Sequence, residues 1–219
     1  MAVRKPDAER TRLDILRVAR KEFAEHGLSG ARVDAIAAKT QTTKRMIYYY
    51  FGSKEGLYLE VLEGAYKQVR EAENTLELST LPPDQAMRRL IDATFDFHES
   101  TPDFGRLISI ENIHHGRYLK NSDTIRGMNM TVLEVMSGII ERGKRQGVFT
   151  TNYNVLDLHM LITSMCFYRV SNRHTFGTLF DLDLQAPDVK QRQKRMIGDS
   201  ILGLLGYPVH SKHKAMADT

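Results

Sequence analysis

The sequence predicts an all-α fold. Three observations carry that expectation: apolar residues recur three and four apart along nearly the whole chain, alternating period-two runs are nearly absent, and breakers such as Thr80-Leu81-Pro82-Pro83-Asp84 separate segments of helical length. With 219 residues, 42% of them apolar, the chain can bury one sizeable core or two small ones, which excludes disorder as its dominant state.

Each element has its own justification. A first helix is expected over 8–26, where Ile15, Leu16, Ala19 and Phe23 share a face and Gly27 can take the left-handed residue that ends a helix. A short helix over 32–39 carries Val33, Ile36 and Ala37, with Ser29 a candidate cap. After the break Thr40-Gln41-Thr42 a third helix runs over 43–49, capped by the Thr43 hydroxyl. Gly52 turns the chain and Ser53 can cap a long helix over 54–77, whose apolar stripe is Tyr58, Leu62, Ala65, Tyr66 and Val69 and whose other side offers a Glu63–Lys67 pair. Further helices are placed at 84–100, 103–113, 122–146, 154–173 and 189–205, about nine in all. Gly177, Asp181 and Asp183 make 175–187 read as a loop, and 206–219 reads as a mobile tail.

Charge is unevenly spread. The total is +4 from 31 basic and 27 acidic residues, but residues 1–52 hold 11 basic against 6 acidic, and the rest is close to neutral. The basic excess therefore lies in the first quarter, where a polyanionic partner would act. Cys166, the one cysteine, leaves no intramolecular disulfide, and no Cys/His spacing of a structural zinc site occurs. No apolar run approaches the roughly 20 residues that cross a bilayer, and the N-terminus lacks an apolar signal core. A cytoplasmic protein in a reducing compartment, without membrane contact, cofactor or metal, is expected.

Two short helices joined by a three-residue turn and braced by a longer one match a helix-turn-helix, whose second helix enters the major groove of DNA. Lys44 and Arg45 open that helix, where side chains reach base edges, and Tyr48, Tyr49 and Tyr50 supply hydroxyls for phosphates. The same residues also allow a plainer reading, with the tyrosines packing and the basic pair a solvated face. Arg4, Lys5, Arg10 and Arg12 are candidates for the DNA backbone or minor groove, or for a solvated tail.

Gly27, Ile36-Ala37, Thr43 and above all Tyr48-Tyr49-Tyr50-Phe51-Gly52-Ser53-Lys54-Glu55-Gly56-Leu57 resemble the N-terminal signature of the TetR family of one-component bacterial transcriptional regulators. By motif the resemblance covers roughly residues 10–60; beyond them only length and helix pattern match. It implies a DNA-binding domain over 1–52 and a ligand-binding and dimerisation domain over 53–219, with 53–78 as connecting helix. It further implies that residues 43–49 are the recognition helix, that Tyr48 and Lys54 touch phosphates, and that Phe51 with Leu57 packs the hinge. The DNA-binding set is Arg32, Thr42, Thr43, Lys44, Arg45, Tyr48, Tyr49 and Lys54. Lys54 has a second rationale, since a helix N-terminus favours phosphate. The sequence departs from the family at Gln41, where a turn glycine is usual, at Arg45, where a small residue is common, and at Ala31, where threonine is frequent.

Such a protein works as a dimer, because two half-sites about 34–36 Å apart must be held in register. The dimer stripe is placed at Met196, Ile197, Ser200, Ile201 and Leu204, flanked by Val189 and Gln193, with Gly198 and Gly203 allowing close approach; the alternative is that the stripe serves only the core of one chain. An effector pocket is placed at His98, Phe104, Ile108, Glu111, Asn112, His115, Tyr168 and Asn172, a mixture of apolar and polar groups that suits a small molecule, with Phe95, Met128, Met136 and Met165 nearby. Glu111 and His115, one helical turn apart, could face one metal ion, yet two ligands do not make a site. Cys166 reads as a small buried hydrophobe. The expected function is an effector-released repressor acting on a pseudo-palindromic operator. The alternatives are an effector-independent architectural DNA-binding protein, or a small-molecule enzyme on a helical scaffold. No nucleophile, phosphate-loop or paired-carboxylate motif favours the enzyme.

Overall fold

A computed structural model describes residues 5–209, with side chains from Ala8 onward; Arg4, the Lys5 side chain and the tail beyond Val209 lie outside the described residues. Among the described residues the regular structure is all helical: α1 (Lys5–Gly30), α2 (Val33–Lys39), α3 (Lys44–Phe51), α4 (Lys54–Asn74), α5 (Pro83–Ser100), α6 (Pro102–Ile113), a 3-10 turn (Leu119–Asn121), α7 (Asp123–Arg145), α8 (Val155–Ser171), α9 (Arg173–Phe180) and α10 (Pro187–Leu204). Two compact units share these elements. One holds the described residues up to Gln68 with Thr101–Gly127, and the other holds Val69–Ser100 with the described residues from Met128 on.

In the first unit, Ile15, Ala19 and Phe23 of α1, Ile36 of α2, Ile47 of α3, Leu57, Tyr58 and Leu62 of α4 and Leu107 of α6 are fully or almost fully buried. Phe23, Tyr58 and Tyr118 stack edge to face, with ring centroids 5.1 and 5.2 Å apart, so α1, α4 and the loop after α6 share one aromatic seam. The expected stop of α1 is real: Gly27 adopts φ 67°, ψ 177°, a region essentially closed to other residues, and the chain bends there before a last turn to Gly30. The Ser29 cap does not form. Arg32 is the N-cap residue of α2, and its N–H is taken by Glu22 of α1 at 3.2 Å.

In the second unit, Ala86, Met87, Leu90, Ile91 and Phe95 of α5 meet Val132, Met136, Ile139 and Ile140 of α7, Leu158, Ile162 and Cys166 of α8, and Ile197, Ile201, Leu202 and Leu205 beyond. Cys166 is buried as expected, and burial pushes its thiol up to about 12. The guanidinium of Arg142 donates to the carbonyls of Ser79, Leu78 and Leu81 at 2.9, 3.0 and 3.3 Å, closing the turn between α4 and α5.

Helix α4 ends at Asn74 rather than near 77, because Glu77 takes φ 48° and the Thr75 hydroxyl turns back onto the Ala72 carbonyl. The larger difference is α9, in the segment read as a loop. Asn172 closes α8 and opens α9 with no intervening residue, Phe176 packs on Tyr168 and Phe180, and the helix stops at Asp181 with φ 48°. Gly177 leaves room for the Leu182 carbonyl, which a Cβ there would meet at 2.9 Å, and among the described residues the count is ten α-helices rather than nine.

Candidate nucleic-acid interface

Five hydrogen bonds build the turn and the two short helices. Thr43 accepts the Met46 N–H at 3.2 Å, the N-cap expected of α3. The turn before it is a Schellman motif closing α2: the Thr42 N–H reaches the Ala37 carbonyl at 3.1 Å and the Gln41 N–H the Ala38 carbonyl at 3.5 Å. Gln41 takes the left-handed position with φ 52°, where glycine would be cheaper. Glu22, buried on α1, accepts from the Arg32 N–H and from Lys39 Nζ at 3.0 Å, thereby gripping both ends of α2. Burial opposes its charge, but the Lys39 and Arg32 hydrogen bonds outweigh burial and hold its carboxyl below the usual range. Sequence reasoning missed Glu22; the available signal was an acidic residue inside the apolar stripe of α1.

Helix α3 presents two faces. Ile47 and Phe51 are buried against the unit, whereas Lys44, Arg45, Tyr48 and Tyr49 are exposed, Tyr49 the most at 78%. Arg45 and Tyr49, four residues apart and flanking Ile47 from the opposite side, form one ridge. Among the described residues Arg45 has no hydrogen bond or ion pair, while Lys44 sits 3.3 Å from Asp34 of α2. Arg32 and Thr43 are exposed and Thr42 is half-buried. Lys54 is half-buried at the start of α4, with Nζ 3.4 Å from the Ser29 carbonyl, and Ser53 caps that helix through the Gly56 N–H at 3.0 Å. Arg12, a candidate for the DNA backbone, pairs instead with Glu60 and lies over the Phe51 ring at 5.4 Å.

The expected effector residues divide between the two units. Phe104, Ile108, Glu111, Asn112 and His115 fall in the first and His98, Tyr168 and Asn172 in the second. Phe104 is buried edge-on to Tyr66 at 5.4 Å, and Ile108 is half-buried. Glu111 is buried and spends Oε2 on the N–H groups of Tyr118 and Leu119, both at 3.2 Å. Facing Tyr58, it also raises that phenol's pKa, although burial is the larger cause. Helix α6 ends at Ile113, so His115 turns out to solvent with φ 57° and does not face a common point with Glu111; Asn112 is exposed too. His98 is buried, and burial, opposed in part by Glu99, lowers its pKa to about 4. Asn172 donates to the Tyr168 carbonyl, and Tyr168 is 53% exposed.

The dimer stripe also divides. Ile197 and Ile201 are buried in the core of their own unit, because α10 turns them onto α5 and α8. Met196 and Ser200 are exposed and Leu204 is half-buried. Gly198 makes room for Arg88 of the same chain rather than for a second copy, and Arg88 pairs with Asp199 beside it. On α8 the residues Leu156, Met160, Ser164 and Tyr168, each four apart, are all exposed and continue toward Met196 across a shallow depression of about 390 Å³.

No described helix is long and apolar enough to cross a membrane. Residues 15–61 match the family described as bacterial regulatory proteins, tetR family, and residues 83–201 match the tetracyclin repressor-like C-terminal domain. The chain is 35% identical over 200 residues to the HTH-type transcriptional repressor NicS of Pseudomonas putida, covering 91% of this chain and 94% of that protein. It is 31% identical over 170 residues to the HTH-type transcriptional repressor SCO4008 of Streptomyces coelicolor, covering 78% and 82%. The solved structure of the transcriptional regulator SCO4942 from Streptomyces coelicolor superposes with a TM-score of 0.69 at 25% identity, covering 90% of this chain and 99% of that one.

Proposed function

Because the chain belongs to the TetR family of bacterial regulatory proteins, we propose that it is a sequence-specific DNA-binding repressor, acting as a homodimer and released from its operator by a small molecule. The observation that carries this reading is the outward ridge of α3, where Arg45 and Tyr49 stand exposed on a helix whose opposite side is buried. A capped short helix with a free guanidinium at its start has the shape and the donors to enter a major groove, and the guanidinium can take guanine O6 and N7 together. Lys44, Thr42, Thr43, Tyr48, Arg32 and Lys54 lie around the ridge, where they serve phosphates and fix its register. The name repressor carried by both relatives supports repression over activation.

The DNA-binding domain is residues 1–52, and the remainder binds effector and partner. Dimerisation uses the exposed side of α8 and α10, where Leu156, Met160 and Met196 would otherwise stay in water. Two copies then offer two α3 helices to a pseudo-palindromic operator in the cytoplasm. An effector releases DNA only if it binds the DNA-incompetent dimer more tightly; a coupling of about 1–3 kcal/mol is typical, and α4, continuous from Lys54 to Asn74, is the element that carries it. The test is a mobility shift with the DNA upstream of the protein's own gene. A salt-dependent shift that survives excess unrelated DNA supports the reading. Equal competition by any sequence would make the protein architectural, and no shift at all would remove DNA as its partner.

A further inference from the structure

Helix α3 turns outward more than its cation. Ile47 and Phe51 are its buried side, and at about 100° per residue the opposite direction falls on Tyr49, with Arg45 to one side of it and Met46 to the other. All three are exposed, Met46 at 38%. Two of the three therefore offer apolar surface on the face that carries the guanidinium. Met46 is the more telling. Its thioether donates no hydrogen bond, so unlike Lys44, Arg45 or Tyr48 it has nothing to give a phosphate oxygen. Its position is nonetheless fixed, because its N–H is the one that Thr43 caps, which sets the side chain in the first turn of α3. Tyr49 follows three residues later on the same face, its ring edge-on to that of Tyr50 with centroids 5.6 Å apart.

Base edges in the major groove present hydrogen-bonding groups and a single apolar one, the C5-methyl group of thymine. We infer that Met46 and the ring of Tyr49 are specificity-determining residues that close over thymine methyl groups beside the guanine taken by Arg45, an assignment that rests on the proposed operator-binding repressor and deepens it. Arg45 and Tyr49 are about 6 Å apart along the helix axis, less than two base-pair steps of about 3.4 Å, so each thymine lies within about two base pairs of that guanine. Sequence reasoning gives Met46 no role and reads Tyr49 through its hydroxyl. The available signal was an apolar residue next to the basic pair in a helix whose core side Ile47 and Phe51 already supply.

The test starts with selection of duplexes from a random pool by the full chain. Thymines of the selected half-site are then replaced one at a time by uracil in both halves, a change that removes the methyl group and keeps every hydrogen-bonding group, and binding is read by fluorescence anisotropy. At one or two positions within reach of the guanine, uracil should bind on the order of tenfold more weakly, the loss of one buried methyl in each half-site. The salt dependence should stay that of the thymine duplex, because no phosphate contact is lost. Met46→Ala should keep the parent's helical content, alanine being the better helix former, and lose the preference for thymine at one position. Tyr49→Ala should lose it at another, and Tyr49→Phe should keep it. The assignment is overturned if uracil equals thymine throughout, if the preference survives at every position in Met46→Ala or in Tyr49→Ala, or if Tyr49→Phe binds as weakly as Tyr49→Ala, which would give the tyrosine to a phosphate through its hydroxyl. A selected sequence with no methyl effect leaves the repressor reading standing and removes this one, whereas failure to select any sequence removes both.

Discussion

Single side chains carry the sharpest tests. Arg45 is exposed on the outer ridge of α3 beside Tyr49, so Arg45→Ala is expected to weaken operator binding by about 1–3 kcal/mol and to relax preference at one base pair. Anisotropy titrations against singly substituted operators would show it, and an equal loss on every sequence would reassign Arg45 to a phosphate. His98 makes a pH prediction. Burial lowers its pKa from 6.5 in the unfolded chain to about 4 in the folded one. The unfolded state therefore takes up the proton first, so this contribution is present above pH 6.5 and is lost as the pH falls toward 4. At full extent it amounts to about 3 kcal/mol. Denaturant titrations between pH 7 and pH 5 should show a flatter decline in His98→Gln than in the parent.

The elements show what a sequence reveals and what it hides. The helix-turn-helix was legible because each of its parts is local: Thr43 caps α3 three residues on, Ser53 caps α4 likewise, and Gly27 ends the straight run of α1 by its own φ. Gln41 was legible as an anomaly, and the structure places it in the left-handed position that the missing glycine would have filled. Gln41→Gly should stabilise the fold by up to about 1 kcal/mol, the relief of backbone strain less the added freedom of the unfolded chain, as read from the urea midpoint. What stayed hidden depends on contacts distant in sequence. Helix α9 forms in a segment with turn residues because Arg173 meets Glu99 of α5 and Phe176 meets Tyr168 of α8. Glu22 was hidden likewise, since its partners lie 10 and 17 residues away. The end of α6 before His115 was hidden too, and it leaves Glu111 Oε2 to two N–H groups of the following loop.

At the scale of the whole molecule, the exposed row Leu156, Met160 and Met196 is the surface whose burial would hold two copies together. The double variant Met160→Lys, Met196→Lys places like charges on that face in both copies. It should sediment as a single chain with unchanged helical content and bind the operator far more weakly than the parent. A dimer in sedimentation velocity would move the interface elsewhere. Ile197 and Ile201 are poor choices for this experiment, because they support the core of their own unit.

The turn that Arg142 closes has a practical consequence. Its Leu-Pro-Pro run looks like a place where a protease would nick the chain or an engineer would splice in a tag. Yet one guanidinium from α7 donates to three of its backbone carbonyls, those of Leu78, Ser79 and Leu81. Limited digestion should spare residues 75–82 in the parent and cut there in Arg142→Ala, and a peptide inserted at that point should cost the folded state as much as losing the fastening itself.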